Sequence, residues 1–383
     1  MTDQSDDSKR AATTRAMNRR QFLRRSAAAS ATLGAGAIAT PLGASRIAAA
    51  FGVPFAAALS SLSRDAIAQA AQTSLTIGVL RAPASGIISI TEKNGWFKQA
   101  GVTLKEELFQ AAAGPKIIQA LGGGAIQLSF VNSTAALLGM AGGAIPLRFI
   151  SIPTDPSRNF CVISDEKIDT MAKLAGKKVT APQGTALHYY LARGLAKSGM
   201  AFKDIEFVNL PAADGQAAFV AGRVDAIVPT VNGRFYILNT KKDSRELFVY
   251  EDFARGPTPE TFLNYDLFVT TQDVVDKNRA GLKAFLAAYH DKGVVYLLDP
   301  KTRAAATKEI TEYINAEQKV PTDAAIMDKI LTMSKFYDAK TTKALMTKDD
   351  FRASLETQIR FFMDLKQMPQ APDVSKAVIT DLL

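Results

Sequence analysis

From Leu75 onward, short apolar runs alternate with amphipathic segments. Leu75 to Leu80 predicts a buried strand, Ala82 to Gly86 a loop of small residues and proline, and the segment up to Ala100 a helix closed by Gly101. The pattern continues with a strand at Val102 to Phe109, the loop Ala111-Ala112-Ala113-Gly114-Pro115, a helix from Lys116 to Leu121, a glycine turn at 122–124 and a buried strand at Ile126 to Val131. The same order returns downstream: strand Lys178 to Ala181, loop Pro182-Gln183-Gly184-Thr185, helix Ala186 to Lys197, strand Glu206 to Leu210, helix Gln216 to Ala221, strand Val224 to Val228. Pairing Pro83 with Pro182 and Gly124 with Gly222 keeps the two halves in step, so two related βαβαβ units fit better than one large sheet.

Alternating strands and helices imply mostly parallel sheets flanked by helices. The expected architecture is α/β with two lobes: lobe 1 from 71–154 and 264–383, lobe 2 from 155–263, and a ligand cleft between them. Chain crossings are expected around 151–158 and 256–264, and the apolar run Leu267 to Thr270 should return the chain to lobe 1. Beyond Asp273 the amphipathic spacing reads helical.

The first seventy residues have a different character. The basic run Asn18-Arg19-Arg20-Gln21-Phe22-Leu23-Arg24-Arg25 precedes an apolar stretch from Ser26 to Arg46 that is rich in Ala, Gly and Ser, the order of a twin-arginine export signal. Small-residue patterns at Ala66-Ile67-Ala68 and Ala68-Gln69-Ala70 suit cleavage. Residues 1–70 are therefore expected to form a leader, engaging the twin-arginine (Tat) translocon and placing the mature chain in the periplasm. They hold nine Lys/Arg and four Asp/Glu, so without them the formal charge of +9 falls to +4. No basic run with interleaved aromatics remains, which argues against a nucleic-acid partner. One cysteine, Cys161, excludes an internal disulfide, and His188 and His290 lie far apart without metal-ligand spacing.

The chain has no P-loop, nucleophile-elbow or His-Glu-x-x-His motif. Ser164-Asp165-Glu166-Lys167 matches the Ser-x-x-Lys spacing but sits in a charged turn, and Gly122-Gly123-Gly124 follows a helix, which favours a C-cap over a phosphate loop. The better candidates are loops at strand ends that lead into helices, where the first N–H groups have no partner within the helix and ligands of open α/β folds bind. Pro83 and Ser85, Ala113 and Gly114, and Gln183, Gly184 and Thr185 belong to such loops. Asn132, Ser133 and Thr134 put three polar side chains where a buried strand opens, Arg81 ends an apolar strand, His188 sits in the helix after Gly184, and Asn232 and Arg234 follow the last repeat strand. Each has a structural alternative as a cap, rim or packing residue.

Several segments carry a family resemblance: Leu75-Thr76-Ile77-Gly78, Asn94-Gly95-Trp96-Phe97, Ala113-Gly114-Pro115, Leu174-Ala175-Gly176-Lys177-Lys178-Val179, Gln183-Gly184-Thr185, and Ala218-Phe219-Val220-Ala221-Gly222-Arg223-Val224-Asp225-Ala226. Together they resemble the periplasmic binding proteins of ABC transporters for nitrate, sulfonates and taurine, and their relatives that bind thiamine-pyrimidine precursors. The resemblance implies a type II binding-protein fold, an ABC permease and its ATPase as partners, a monomer, no cofactor and no catalysis. Where alkylsulfonate binders carry an aromatic-acidic-proline stretch, this chain reads Pro229-Thr230-Val231-Asn232-Gly233-Arg234. The loop donors and the arginines at 81 and 234 suit a small organic anion, sulfonate- or carboxylate-like. The alternatives are a Tat-exported cofactor-dependent enzyme and a sensory binding protein for a heterocycle.

Overall fold

A computed structural model describes residues 73–383 apart from 111, 144 and 317–320. The leader, its paired arginines and its cleavage patterns lie outside the described residues.

Two mixed sheets organise the chain. The first has the order β11-β4-β10-β3-β1-β2, from β1 (Thr73–Leu80), β2 (Val102–Phe109), β3 (Leu128–Asn132), β4 (Leu147–Asp155), β10 (Asp266–Thr271) and β11 (Lys335–Phe336). The second has the order β7-β6-β8-β5-β9, from β5 (Cys161–Asp165), β6 (Lys178–Thr180), β7 (Glu206–Val208), β8 (Ala226–Ile227) and β9 (Ser244–Val249). Within each, the three repeat strands are parallel, β2-β1-β3 and β7-β6-β8. Gly124 and Gly222, each preceding the third strand of a repeat, share a left-handed backbone with φ of +72° and +68°, which only glycine adopts without strain. The expected internal duplication is thus present in the pairing.

The sheets are less parallel than expected. β10 runs antiparallel to both β3 and β4, and β5 runs antiparallel to β8 and β9. The chain passes from the end of β4 to the start of β5 and re-enters through β10, and the two strands by which it enters a sheet after crossing, β5 and β10, run against the repeat strands. β4 itself extends to Asp155, which narrows the first crossing to a short turn at Ser157–Asn159.

Helices cover the sheets: α1 (Pro83–Lys93), α2 (Trp96–Gln99), α3 (Gly114–Gly122), α4 (Ser133–Ala141), α5 (Ala186–Lys197), α6 (Ala212–Val220), α7 (Val231–Thr240), α8 (Gln272–Ala287), α9 (Val295–Leu298), α10 (Arg303–Asn315), α11 (Ala324–Met333), α12 (Ala339–Met346) and α13 (Asp349–Asp364). No helix among the described residues is long and apolar enough to cross a membrane. Trp96, which opens α2, packs edge-on against Tyr296 at 5.6 Å, and Cys161 is buried on β5, where loss of hydration pushes its thiol up to about 12.

One apolar cluster runs through both sheets. It joins Ile117, Leu137 and Phe149 near the first sheet, Val162, Val179 and Leu191 near the second, and Phe351, Leu355, Ile359 and Phe362 of α13. α13 therefore lies along the seam where the sheets face each other, a position its amphipathic pattern alone does not reveal.

Candidate functional site

Candidate residues stand at the strand ends of both sheets, and those after β3 and β6 reach that seam. From the first sheet come Arg81 after β1, the 112–114 loop after β2, and Asn132 ending β3; from the second come Pro182 to Thr185 after β6 and Thr230 before α7. Gly184, with φ +71°, sits so close that a Cβ built on it would lie 3.6 Å from Leu138 Cδ1 of α4 and 4.0 Å from Pro115 of α3. Pro115 and Leu138 belong to the first repeat, so the loops of the two repeats touch.

Ala112 holds a left-handed backbone with φ +60°, rare for a residue with a Cβ and a type of strain that gathers at binding loops. Beside it, Ala113 caps α3. Gly114 is explained by packing: a Cβ there would stand 2.6 Å from the Cβ of Ala135, so only glycine lets α3 approach α4 this closely.

Asn132, Ser133 and Thr134 do not open into solvent. Asn132 Oδ1 caps α4 by accepting from Thr134 N at 3.0 Å, and its Nδ2 donates to Asn264 Oδ1. Ser133 Oγ and Thr134 Oγ1 both donate to Gln358 Oε1, at 3.1 and 3.0 Å, while Asn264 Nδ2 donates to Thr134 Oγ1 at 2.8 Å. Ser133, Thr134, Asn264 and Gln358 are fully buried. The network ties the end of β3 to the second crossing and to α13. Sequence reasoning missed Asn264 and Gln358 because 94 to 225 residues separate each from its partners.

The two arginines are engaged elsewhere. Arg81 lays its guanidinium 4.1 Å over the Tyr313 ring and donates to the Tyr313 carbonyl, with Glu106 of β2 within electrostatic reach. Pro83 opens α1, and Ser85 is buried in its first turn beside Tyr313. Arg234 donates through Nε to Glu246 at 2.6 Å and through its terminal nitrogen to the carbonyls of Arg158 and Asn159. Its charge is neutralised within the second sheet's own helix and strand, and it clamps the first crossing, so it is not a ligand's counter-ion in this conformation. Thr185 Oγ1 likewise donates to Pro182 O at 2.7 Å, which commits the hydroxyl to its own loop.

Gln183 stays exposed, exchanging hydrogen bonds with Asn209. Asn232, in the first turn of α7, buries an Oδ1 with no hydrogen-bond partner among the described residues.

His188 is the most informative of the expected residues. Its ring is packed not on Tyr189 or Tyr190 but among Phe202 at 5.1 Å, Phe207 at 5.3 Å and Phe362 at 6.1 Å. Burial drives its pKa down to about 4, so it is neutral at ordinary pH. Nδ1 accepts from Gly184 N at 3.4 Å, which leaves the proton on Nε2, and Nε2 is buried without a partner among the described residues. A buried N–H of this kind costs about 1–3 kcal/mol until something accepts from it.

Two surface cavities lie away from the seam. One of about 790 Å³ runs between β7 and α6, with Val208, Leu210 and Ala217 among its lining; one of about 340 Å³ adjoins Arg279 and Asp381. The seam itself is occupied by the aromatic rings of α5 and α13, Tyr189 meeting Phe361 edge-on at 5.1 Å and Phe362 at a tilt at 5.9 Å.

Comparison with known proteins converges on one group. The Escherichia coli (strain K12) protein named "Putative aliphatic sulfonates-binding protein" is 34% identical over 116 residues, 30% of this chain and 36% of that protein. The taurine-binding periplasmic protein of the same strain is 24% identical over 210 residues, 54% of this chain and 62% of that one. The match thus spans less than two thirds of either relative. The crystal structure of the periplasmic aliphatic sulphonate binding protein SsuA from Escherichia coli superposes with a TM-score of 0.64 at 19% identity, covering 80% of this chain and 92% of that one, which establishes the periplasmic binding protein fold. Residues 83–303, more than half of the sequence, match the family described as NMT1/THI5 like, and the chain belongs to that family.

Proposed function

We propose that the protein is the extracytoplasmic substrate-binding component of an ABC importer. It captures a small organic anion, sulfonate- or carboxylate-like, between two lobes (71–154 with 264–383, and 155–263) and hands it to a permease driven by a separate ATPase. Family membership, the fold and relatives named for sulfonates and taurine support the transport role. No catalytic step is required, and the protein works as a monomer without a cofactor.

The acceptor-rich character of the ligand is carried by one observation, the buried and unsatisfied Nε2–H of His188 in the seam. An oxyanion oxygen is the natural acceptor for it. The Ala, Pro and Phe surfaces around it suit an apolar ligand body. Thermal-shift screening of sulfonates, carboxylates, inorganic oxyanions, amines and neutral heterocycles should give the largest stabilisation with an organic anion, since a ligand bound only by the folded state raises the melting temperature. His188→Phe keeps a flat ring but removes the donor, and should weaken that ligand by about 1.5–3 kcal/mol, the worth of a hydrogen bond to a charged group. A cation as the tightest ligand, or unchanged affinity in His188→Phe by calorimetry, would overturn the assignment.

We also infer export in the folded state through the twin-arginine route, from Arg19 and Arg20 ahead of a weakly apolar stretch. Arg19→Lys with Arg20→Lys should leave folded precursor in the cytoplasm. Normal accumulation of the double variant outside the cytoplasm excludes this route.

A further inference from the structure

Three donors point at one oxygen atom in the seam. Ser133 Oγ at 3.1 Å, Thr134 Oγ1 at 3.0 Å and Asn264 Nδ2 at 3.4 Å all face Gln358 Oε1. Gln358 Nε2 is spent on the carbonyl of Ser354, which fixes which end of the carboxamide faces the donors. A neutral amide oxygen has two lone pairs and no net charge, so it is a modest match for three converging donors, two of them hydroxyls in the first turn of α4. The same arrangement suits one oxygen of a sulfonate or carboxylate better, because hydrogen bonds to a charged acceptor are about twice as strong as neutral ones.

We propose that Gln358 Oε1 occupies the position of a ligand oxyanion, with Ser133, Thr134 and Asn264 forming the subsite and the Gln358 side chain acting as the internal occupant that ligand displaces. The inference rests on the organic-anion reading above and names the place of the anion and what competes for it. Phe362 lies one turn further along α13 and packs on the His188 ring at 6.1 Å. The helix that carries Gln358 therefore also packs on the ring of the unsatisfied His188 donor.

Two substitutions test it. Gln358→Ala removes the competitor and leaves the donors, so the best organic anion should bind about tenfold tighter while the ligand-free protein melts lower. Gln358→Glu supplies a built-in carboxylate, so at neutral pH the ligand-free protein should melt higher than wild type and anion affinity should fall at least about tenfold. If Gln358 were only a structural link, the buried charge of Gln358→Glu would lower the melting temperature, and Gln358→Ala would lose stability without gaining affinity; either result overturns the proposal. Should wild type bind no organic anion while Gln358→Glu still melts higher, the transport reading fails for that ligand class and the oxyanion subsite stands.

Discussion

Phe362→Ala should destabilise the protein by about 3–5 kcal/mol, the usual cost of deleting a fully buried aromatic ring. Phe362 has no exposed surface and touches the rings of His188, Tyr189 and Phe361. It is carried on α13 near the C-terminus, yet its partners on α5 belong to the second sheet. Truncation therefore opens a cavity at the point where the last helix joins the two repeats, where collapse of the surroundings is limited by close-packed rings. Urea unfolding of wild type and variant gives the difference directly. The control is Leu108→Ala, at a side chain 42% exposed, which should stay within about 1 kcal/mol. A loss no greater for Phe362 than for Leu108 would show that α13 does not bind the sheets together.

The second large effect is a dependence on pH with contributions of opposite sign, the buried His290 and, with its pKa held equally low, His188 on one side and Asp266 on the other. His290 is fully buried, its Nε2 2.5 Å from Ser151 Oγ and its Nδ1–H donating to Tyr337 O at 2.7 Å, and burial holds its pKa down to about 4. Below about pH 6.5 the unfolded chain takes up a proton that the folded protein refuses, so stability is lost as pH falls towards 4, by about 3 kcal/mol in all. Asp266 does the reverse. Burial first, and the neighbouring Asp155 carboxylate second, raise its pKa to about 7, while the Asn132 side chain partly offsets them. Between about pH 7 and the ordinary carboxyl range the folded protein binds the proton more tightly than the unfolded chain, so stability rises as pH falls. Asp266 is half-buried, and solvent reduces its share. Asp266→Asn removes this compensation, and its melting temperature should drop more steeply than that of wild type from pH 6.5 to 4; His290→Asn should flatten the profile. Parallel profiles for wild type and Asp266→Asn would refute the opposition.

How much of this is legible in the sequence differs by layer. The inner repeat strands announce themselves because a strand covered on both faces is a short apolar run, and each repeat's third strand follows a glycine that must be left-handed, Gly124 and Gly222. The antiparallel strands do not. β9, Ser244–Val249, is a polar half, Ser-Arg-Glu, followed by an apolar half, Leu-Phe-Val, without the alternation that marks a half-buried strand, and β11 is two residues long. The strand-end position of the candidate loops follows from topology, and the Gly184 loop lies against Pro115 and Leu138 of the first repeat. What their side chains do there depends on distant partners. Arg234 meets Glu246 twelve residues away but also the carbonyls of Arg158 and Asn159, and Ser133 meets Gln358 across 225 residues. Local pattern contains no trace of these pairings.

The strand order of the first sheet also dictates what happens while the chain is being made. β10 sits between β4 and β3, so until residues 266–271 leave the ribosome both strands present open edges, and β4 gains β11 only after residue 336. The second sheet, drawn from residues 161–249 without interruption, is complete earlier. The nascent protein therefore passes through a stage with one finished sheet and one split into two unpaired halves, the type of species that aggregates through exposed strand edges. That stage opens once β9 is complete at Val249 and closes when β10, Asp266–Thr271, emerges, so a ribosome stalled between them holds the chain with its open edges exposed.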